Sequence, residues 1–418
     1  MAFLSSRVSR AKISASASSA QRTRELRAAG RDIIGLSQGE PDFDTPEHII
    51  EAAHRAMRGG RTRYTPVDGT PELKQAIVAK FHRENGLAYQ AENISVGAGG
   101  KQILYNALMA TLDPGDEVVI PAPSWVAYAI MTEFAEGVPV WVTTRSENDF
   151  KLTAGELDAA ITPRTKWLML NSPSNPTGAV YSADELRALA AVLERHPHVW
   201  VLADDIYEHI LFDGRRFSTF AEVAPQLADR ILIVNGVSKT YAMTGWRLGY
   251  GAGPASLIQA MARMQAQCSL NPSSISQAAA VAALHGPQDI VAQRCAEFEA
   301  RRNAVVALLE AIPGLAFTRP HGAFYVYVSC ADWIGRRTPA GQRLNSDEDV
   351  TAYLLESGVA VPNGAGYGLS PYFRLSFATS LTNLHEACRR IELASRSLGL
   401  SASRTAAAQE FPIEKLRR

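Results

Sequence analysis

Short apolar runs and amphipathic helical stretches alternate through the middle of the chain. Between residues 70 and 300, Leu73, Ile77, Val78 and Phe81 recur at the spacing of one helical face, and Gly86 stands where such a helix can stop. EVVIP (117–121), KWLML (166–170), VWVLA (199–203) and RILIV (230–234) are apolar runs of strand length, bounded by turn-forming or charged residues. Runs that are apolar at every position belong to strands covered on both faces, so this region predicts a mostly parallel sheet packed between helices. Beyond residue 310 the pattern changes: AFYVYV (323–328) and FRLSF (373–377) read as strands, and residues 383–398 have amphipathic helical spacing. Near the start, residues 21–29 read as a helix closed by Gly30.

The chain is therefore expected to be α/β, with a large domain and a smaller α+β domain. Residues 1–45 would form an N-terminal arm and part of the small domain, 46–305 the large domain, 306–400 the small C-terminal domain and 401–418 a tail. A length of 418 residues and 46% hydrophobic content are enough for two cores.

Charge and cysteine usage narrow the partners. Lys plus Arg and Asp plus Glu both number 42, which offers no basic surface for nucleic acid and points to a small metabolite. Cys268, Cys295, Cys330 and Cys388 are widely spaced and include no CxxC pair, so neither a zinc site nor a disulfide framework is expected. No apolar run reaches membrane-spanning length and no signal-peptide core is present, which suits a cytoplasmic protein. Residues 1–24 are basic, rich in Ser and Ala and free of acids, the composition of an organellar transit peptide, although an ordinary arm is the expected reading.

Candidate chemistry is concentrated in SKTYAMTGWRLGY (238–250) and DDIY (204–207). Lys239 can form a Schiff base, Arg247 can hold a phosphate, Asp204 can pair with a pyridinium and Tyr207 can donate to a phenolate oxygen. Together they meet the needs of pyridoxal 5′-phosphate. GAGGKQ (97–102) is neither a dinucleotide fingerprint, which needs glycine where Gln102 stands, nor a nucleotide P-loop, which needs Gly at Ser95 and Ser or Thr at Gln102. It remains a glycine-rich turn at a helix N-terminus, suited to one phosphate.

With LSQGEPDFDTP, RYTPVDGTPELK, NSPSNPTG, DDIYEH, NGVSKTYAMTGWRLGY, GAFYVY and FRLSFATS in order, the chain resembles class I aminotransferases of pyridoxal phosphate fold type I. Within them it is similar to bacterial aspartate aminotransferases, whose members often also accept prephenate. The resemblance covers residues 1–398 and implies a mostly parallel seven-stranded sheet.

It also implies roles. Lys239 would carry the cofactor and move the proton, Asp204 would face the pyridine nitrogen, and Tyr207 and Asn175 would donate to the cofactor's O3′. Trp125 would stack on the ring. Arg247 and the amides of Gly99, Gly100 and Lys101 would hold the phosphate, joined by Tyr64 from the other subunit of a homodimer with shared active sites. Many relatives place another phosphate-binding serine where this chain has Gly236.

For the substrate, Arg374 would clamp the α-carboxylate, Gly39 would let backbone approach, and Lys12, Ser16, Lys101 and Ser269 would serve the distal carboxylate. Trp125 and Asn175 would also touch substrate. The subgroup's SRxKPSAT appears as SRAKISAS (9–16), with Ile13 for proline, which frees the backbone of the arm. The expected activity is ping-pong amino transfer from L-aspartate to 2-oxoglutarate, with prephenate as a further acceptor. Alternatives are a preference for aromatic or other amino acids, β-lyase chemistry, or a non-catalytic regulator that binds pyridoxal phosphate.

Overall fold

The computed structural model describes residues 3–5, 8 and 15–400, the side chains of residues 15 and 16 excepted. The tail 401–418 and the arm residue Lys12 thus lie outside the described residues. The first strand, β1, is Ile34–Gly35. The seven strands of the main sheet follow: β2 Ile94–Gly97, β3 Glu117–Ala122, β4 Val138–Thr143, β5 Thr165–Asn171, β6 Trp200–Asp204, β7 Ile231–Gly236 and β8 Gly249–Ala252. Their order is β2-β8-β7-β6-β5-β3-β4. β3 through β7 pair in parallel, and β8 runs antiparallel to both β7 and β2.

Successive residues of each central strand enter opposite cores, as a period of two requires. Leu168, Leu170, Val201, Ala203, Ile231 and Ile233 join one apolar layer. Trp167, Met169, Leu202, Leu232 and Val234 join the layer on the other face. This two-sided covering is why the runs carry no polar alternation. The four runs expected as strands lie in β3, β5, β6 and β7.

The helix expected from Leu73 to Phe81 spans Pro71–Asn85, begun by Thr70, whose hydroxyl accepts from the Leu73 N–H at 3.3 Å, and ended by Gly86 at φ +67°. The N-terminal helix covers Ala15–Ala28 and so starts earlier than the sequence pattern suggested. Alanine and serine at 15–20 present no breaker, and the apolar spacing that marked residues 21–29 is not needed to continue a helix.

The remaining strands are β9 Ala316–Phe317, β10 Tyr325–Ser329, β11 Val359–Ala360 and β12 Tyr372–Ser376. β10 lies antiparallel between β9 and β12, and β1 pairs in parallel with β11. Ile34 and Leu36 enter an apolar cluster with Phe298, Tyr325, Val326, Phe373, Leu375 and Ile391, so the two ends of the chain share a core. None of the helices among the described residues is long and apolar enough to cross a membrane.

Behind the main sheet's functional edge lies a buried polar network. Lys80 forms an ion pair with Glu208, both buried, and donates to Asn85 Oδ1 at 2.9 Å. Asn235 in β7 donates to Glu208 at 2.7 Å, while His209 bridges Glu84 and Thr240 at 3.0 Å each. The network fastens the 204–209 segment to the 235–240 segment. Glu84, Glu208 and His209 stand close enough for a metal, but the Lys80 ammonium already supplies the cation there. Removing one partner of a buried ion pair strands the other, so Lys80→Ala is expected to lower the unfolding free energy by about 3–5 kcal/mol in denaturant titrations.

Candidate active site

In a parallel sheet the strands deliver the residues that follow them to one edge, where the first helical turns also point their amides. β2 ends before Gly99, β3 before Trp125, β5 at Asn171, β6 at Asp204, and β7 three residues before Lys239. A cavity of about 330 Å³ lies at this edge. Gly39, Gly100, Lys101, Trp125, Asn175, Asp204, Tyr207, Lys239, Arg247 and Arg374 all line it.

Asp204 is buried and accepts from the Tyr128 hydroxyl at 2.7 Å and the Ile206 N–H at 3.3 Å. Burial raises its pKa to about 6, against the pull of those two donors and of Lys239. Asn171 donates to the Asp204 carbonyl and accepts from the Asn175 N–H, both at 2.8 Å, which ties the NSPSNPTG loop to the end of β6. Tyr207 lies buried with its hydroxyl 2.8 Å from that of Tyr325.

Lys239 donates from Nζ to the Gly39 carbonyl at 2.5 Å. Burial lowers its pKa to about 8; Arg247 and Arg374 push the same way, while Glu40 and Asp204 oppose. Gly39 packs so tightly on Tyr325 that a Cβ there would lie 2.7 Å from the tyrosine oxygen. Only glycine leaves room for this approach.

The helix Gly100–Thr111 opens at the cavity, and its first amides have no intrahelical acceptors. Gly99 sits at φ +90°, and a Cβ on it would meet Arg247 Nη2 at 2.6 Å. Its N–H donates to the Gly97 carbonyl at 2.8 Å, and Gly99 stands outside the cavity lining, whereas Gly100 and Lys101 line it. Gln102, the residue that ruled out a dinucleotide fingerprint, accepts from the Ala98 N–H at 2.6 Å and braces the loop. Arg247 is held by the Thr244 and Ala98 carbonyls at 2.7 and 3.3 Å. At Gly236, a Cβ would meet Gly249 Cα at 3.1 Å and the Leu248 carbonyl at 3.2 Å, so the serine of other relatives would crowd this backbone.

Arg374 is buried on β12 and stacks over Tyr325 at 4.4 Å. It donates to Asn175 Oδ1 at 2.9 Å and to the Ser37 carbonyl at 2.5 Å, while its Nε has no partner among the described residues. A buried guanidinium with unused donor capacity suits a carboxylate. Lys101 Nζ lies 4.8 Å from the Trp125 ring centre, its pKa lowered by burial and by Arg247.

Other expected residues stand apart from this cavity. Ser269 follows the helix Ala255–Cys268 and accepts from Gln102 at 2.5 Å outside the lining. Tyr64 is 87% exposed and also outside the lining of its own chain's cavity. Lys12 and the Ser16 side chain lie outside the described residues. Conversely, Tyr128, Asn171, Ser238, Thr244 and Tyr325 line the cavity although no role was read for them. Tyr128 comes one helical turn after Trp125, and Tyr325 lies within GAFYVY, but their partners are distant in sequence.

Comparison with known proteins gives this geometry a family. Residues 31–391 match the family Aminotransferase class I and II. The chain is 55% identical over 393 residues to the aspartate/prephenate aminotransferase of Cereibacter sphaeroides, covering 94% of this chain and 98% of that one. It is 56% identical over 378 residues to the aspartate aminotransferase of Rhizobium meliloti, covering 90% and 92%. Among solved structures, the aspartate aminotransferase from Rhizobium meliloti matches with a TM-score of 0.92 at 53% identity, covering 96% of this chain and 100% of that one. That from Thermus thermophilus with maleate matches with a TM-score of 0.87 at 42% identity, covering 94% and 100%. With the fold, the motifs and nearly the whole length in agreement, the chain belongs to the class I and II aminotransferases.

Proposed function

We propose that this chain is a pyridoxal phosphate-dependent aspartate aminotransferase that transfers the amino group of L-aspartate to 2-oxoglutarate, with prephenate as a further acceptor. The observation that carries the reading is the placing of Lys239, Asp204, Tyr207 and Arg374 in one cavity. The names of the relatives support aspartate, and one of those names adds prephenate.

The donor set suits the cofactor: a buried carboxylate for the ring nitrogen, two donors for O3′, an indole face, and an arginine beside a helix N-terminus for phosphate. When bound, pyridoxal phosphate supplies an aldehyde to take up the amino group and a ring that withdraws the electron pair left at the substrate Cα. Lys239 would hold that aldehyde and, once freed, its amine would serve as the base that moves the substrate's α-proton. Asp204 keeps a proton on the ring nitrogen, and Tyr128 holds Asp204 in place. Arg374 would orient the α-carboxylate, and Lys101, on the cavity wall, the side-chain carboxylate, for which the family resemblance also implies Lys12 and Ser16.

The remaining assignments are part of the same proposal. Exposed Tyr64 reaches the phosphate of a second subunit, making the enzyme a homodimer with shared sites. Residues 46–305 form the cofactor domain, and 306–400 with part of 1–45 form the small domain. The protein works in the cytoplasm, where four free cysteines are at home.

Two measurements test this reading. Protein loaded with pyridoxal phosphate and given L-aspartate alone is expected to release about one oxaloacetate per chain and then stop until 2-oxoglutarate is added, as a ping-pong enzyme must. Pyruvate, ammonia and sulfide released from L-cysteine in a parallel reaction, with no oxaloacetate from aspartate, would indicate a lyase, and no product from either amino acid a binding protein. Since burial lowers the Lys239 pKa, its neutral, reactive amine accumulates as pH rises through about 8. Amine labelling of cofactor-free protein, read by peptide mass spectrometry, should show Lys239 reacting with a midpoint near 8, well below the ~10.4 of exposed lysines.

A further inference from the structure

The hydroxyls of Tyr325 and Tyr207 form a hydrogen bond at 2.8 Å between two buried side chains. Their rings meet edge to face, with centroids 5.8 Å apart at 86°. A phenol has a single proton to donate and can also accept. On the function proposed above, on which this inference rests, Tyr207 gives its proton to the cofactor's O3′. The bond between the two tyrosines must then be made with the proton of Tyr325.

The surroundings of Tyr325 favour that polarity. Its ring carries the Arg374 guanidinium at 4.4 Å, which draws electron density from the phenol. Burial raises the Tyr325 pKa to about 12 and pushes Tyr207 well above the usual phenol range, while Arg374 pulls both down, so both phenols keep their protons. Gly39 presses on its oxygen so closely that a Cβ there would lie at 2.7 Å, which limits the directions the hydroxyl can take.

We propose that Tyr325 is a positioning residue whose hydroxyl donates to Tyr207 and thereby aims and strengthens the Tyr207 hydrogen bond to O3′. A donor that itself accepts a hydrogen bond is polarised into a stronger donor. Phenylalanine would fill the same space between Gly39, Tyr207 and Arg374 but could not do this.

Tyr325→Phe removes one oxygen and keeps the ring, so it separates this role from packing. Donors to O3′ compete with the proton held between that oxygen and the Lys239 nitrogen, and a weakened donor lets that proton persist to higher pH. In pH titrations of the visible absorption of pyridoxal phosphate-loaded protein, Tyr325→Phe should raise the midpoint by a few tenths of a unit. Tyr207→Phe should raise it further. In the Tyr207→Phe background, adding Tyr325→Phe should leave the midpoint where it was. The dissociation constant for pyridoxal phosphate should rise roughly three- to tenfold, the range set by one net hydrogen bond. The melting temperature of the cofactor-free protein should be nearly unchanged.

An unmoved midpoint in Tyr325→Phe, or an equal shift with and without the Tyr207 hydroxyl, would overturn the proposal while leaving the functional reading intact. Wild-type protein that takes up no pyridoxal phosphate would overturn both.

Discussion

Parallel pairing of β3, β5, β6 and β7 is the constraint from which the site follows. Parallel strands bring their carboxyl ends to the same edge, and each ladder requires its neighbours to be present before its own end is placed. Asn171 and Asp204 face each other across the β5–β6 pair, and Asp204 opposes Val234 in β7. Lys239 therefore reaches the cavity from the next loop over, within the field of Asp204. A register slip of one residue in β6 would turn Asp204 to the opposite face, away from the cavity.

Burial gives the cavity its chemistry. Away from water, Lys239 is held less readily as an ammonium and Asp204 less readily as a carboxylate, and each partly compensates the other. The charged arginines are arranged around this pair: Arg247 is fixed by carbonyls at the glycine turn, and Arg374 by Asn175 and Ser37. Neither arginine has a carboxylate partner among the described residues, so both retain capacity for an anionic ligand. The Lys80–Glu208 network does the opposite work, with its charges satisfied internally and spent on holding the two loops together.

Much of this was readable in the sequence because it is local. Runs apolar at every position announced the central strands, and the 3.6-residue spacing up to Gly86 marked a helix and its end, while its start at Thr70 came from the structure. DDIY and SKTYAMTGWR carried their chemistry within a few residues. What escaped the sequence depends on distant contacts. The two-residue strands β1 and β11 exist because they pair with each other, 325 residues apart in the Ile34–Val359 register, and neither has a pattern long enough to detect. Tyr128 acquires meaning only beside Asp204, and Tyr325 only beside Tyr207 and Arg374. Ser269 matched a motif position, yet its side chain is taken by Gln102 away from the cavity lining.

The central claim is that Lys239, and no other lysine near the cavity, binds the cofactor's aldehyde. Lys101 also lines the cavity with its pKa lowered, so it is the pertinent competitor. Borohydride reduction of pyridoxal phosphate-loaded protein, followed by peptide mapping, would fix the attachment point covalently. The account predicts one pyridoxyl group per chain, on Lys239. Predominant labelling of Lys101, or labelling spread over surface lysines with Lys239 unmodified, would contradict it.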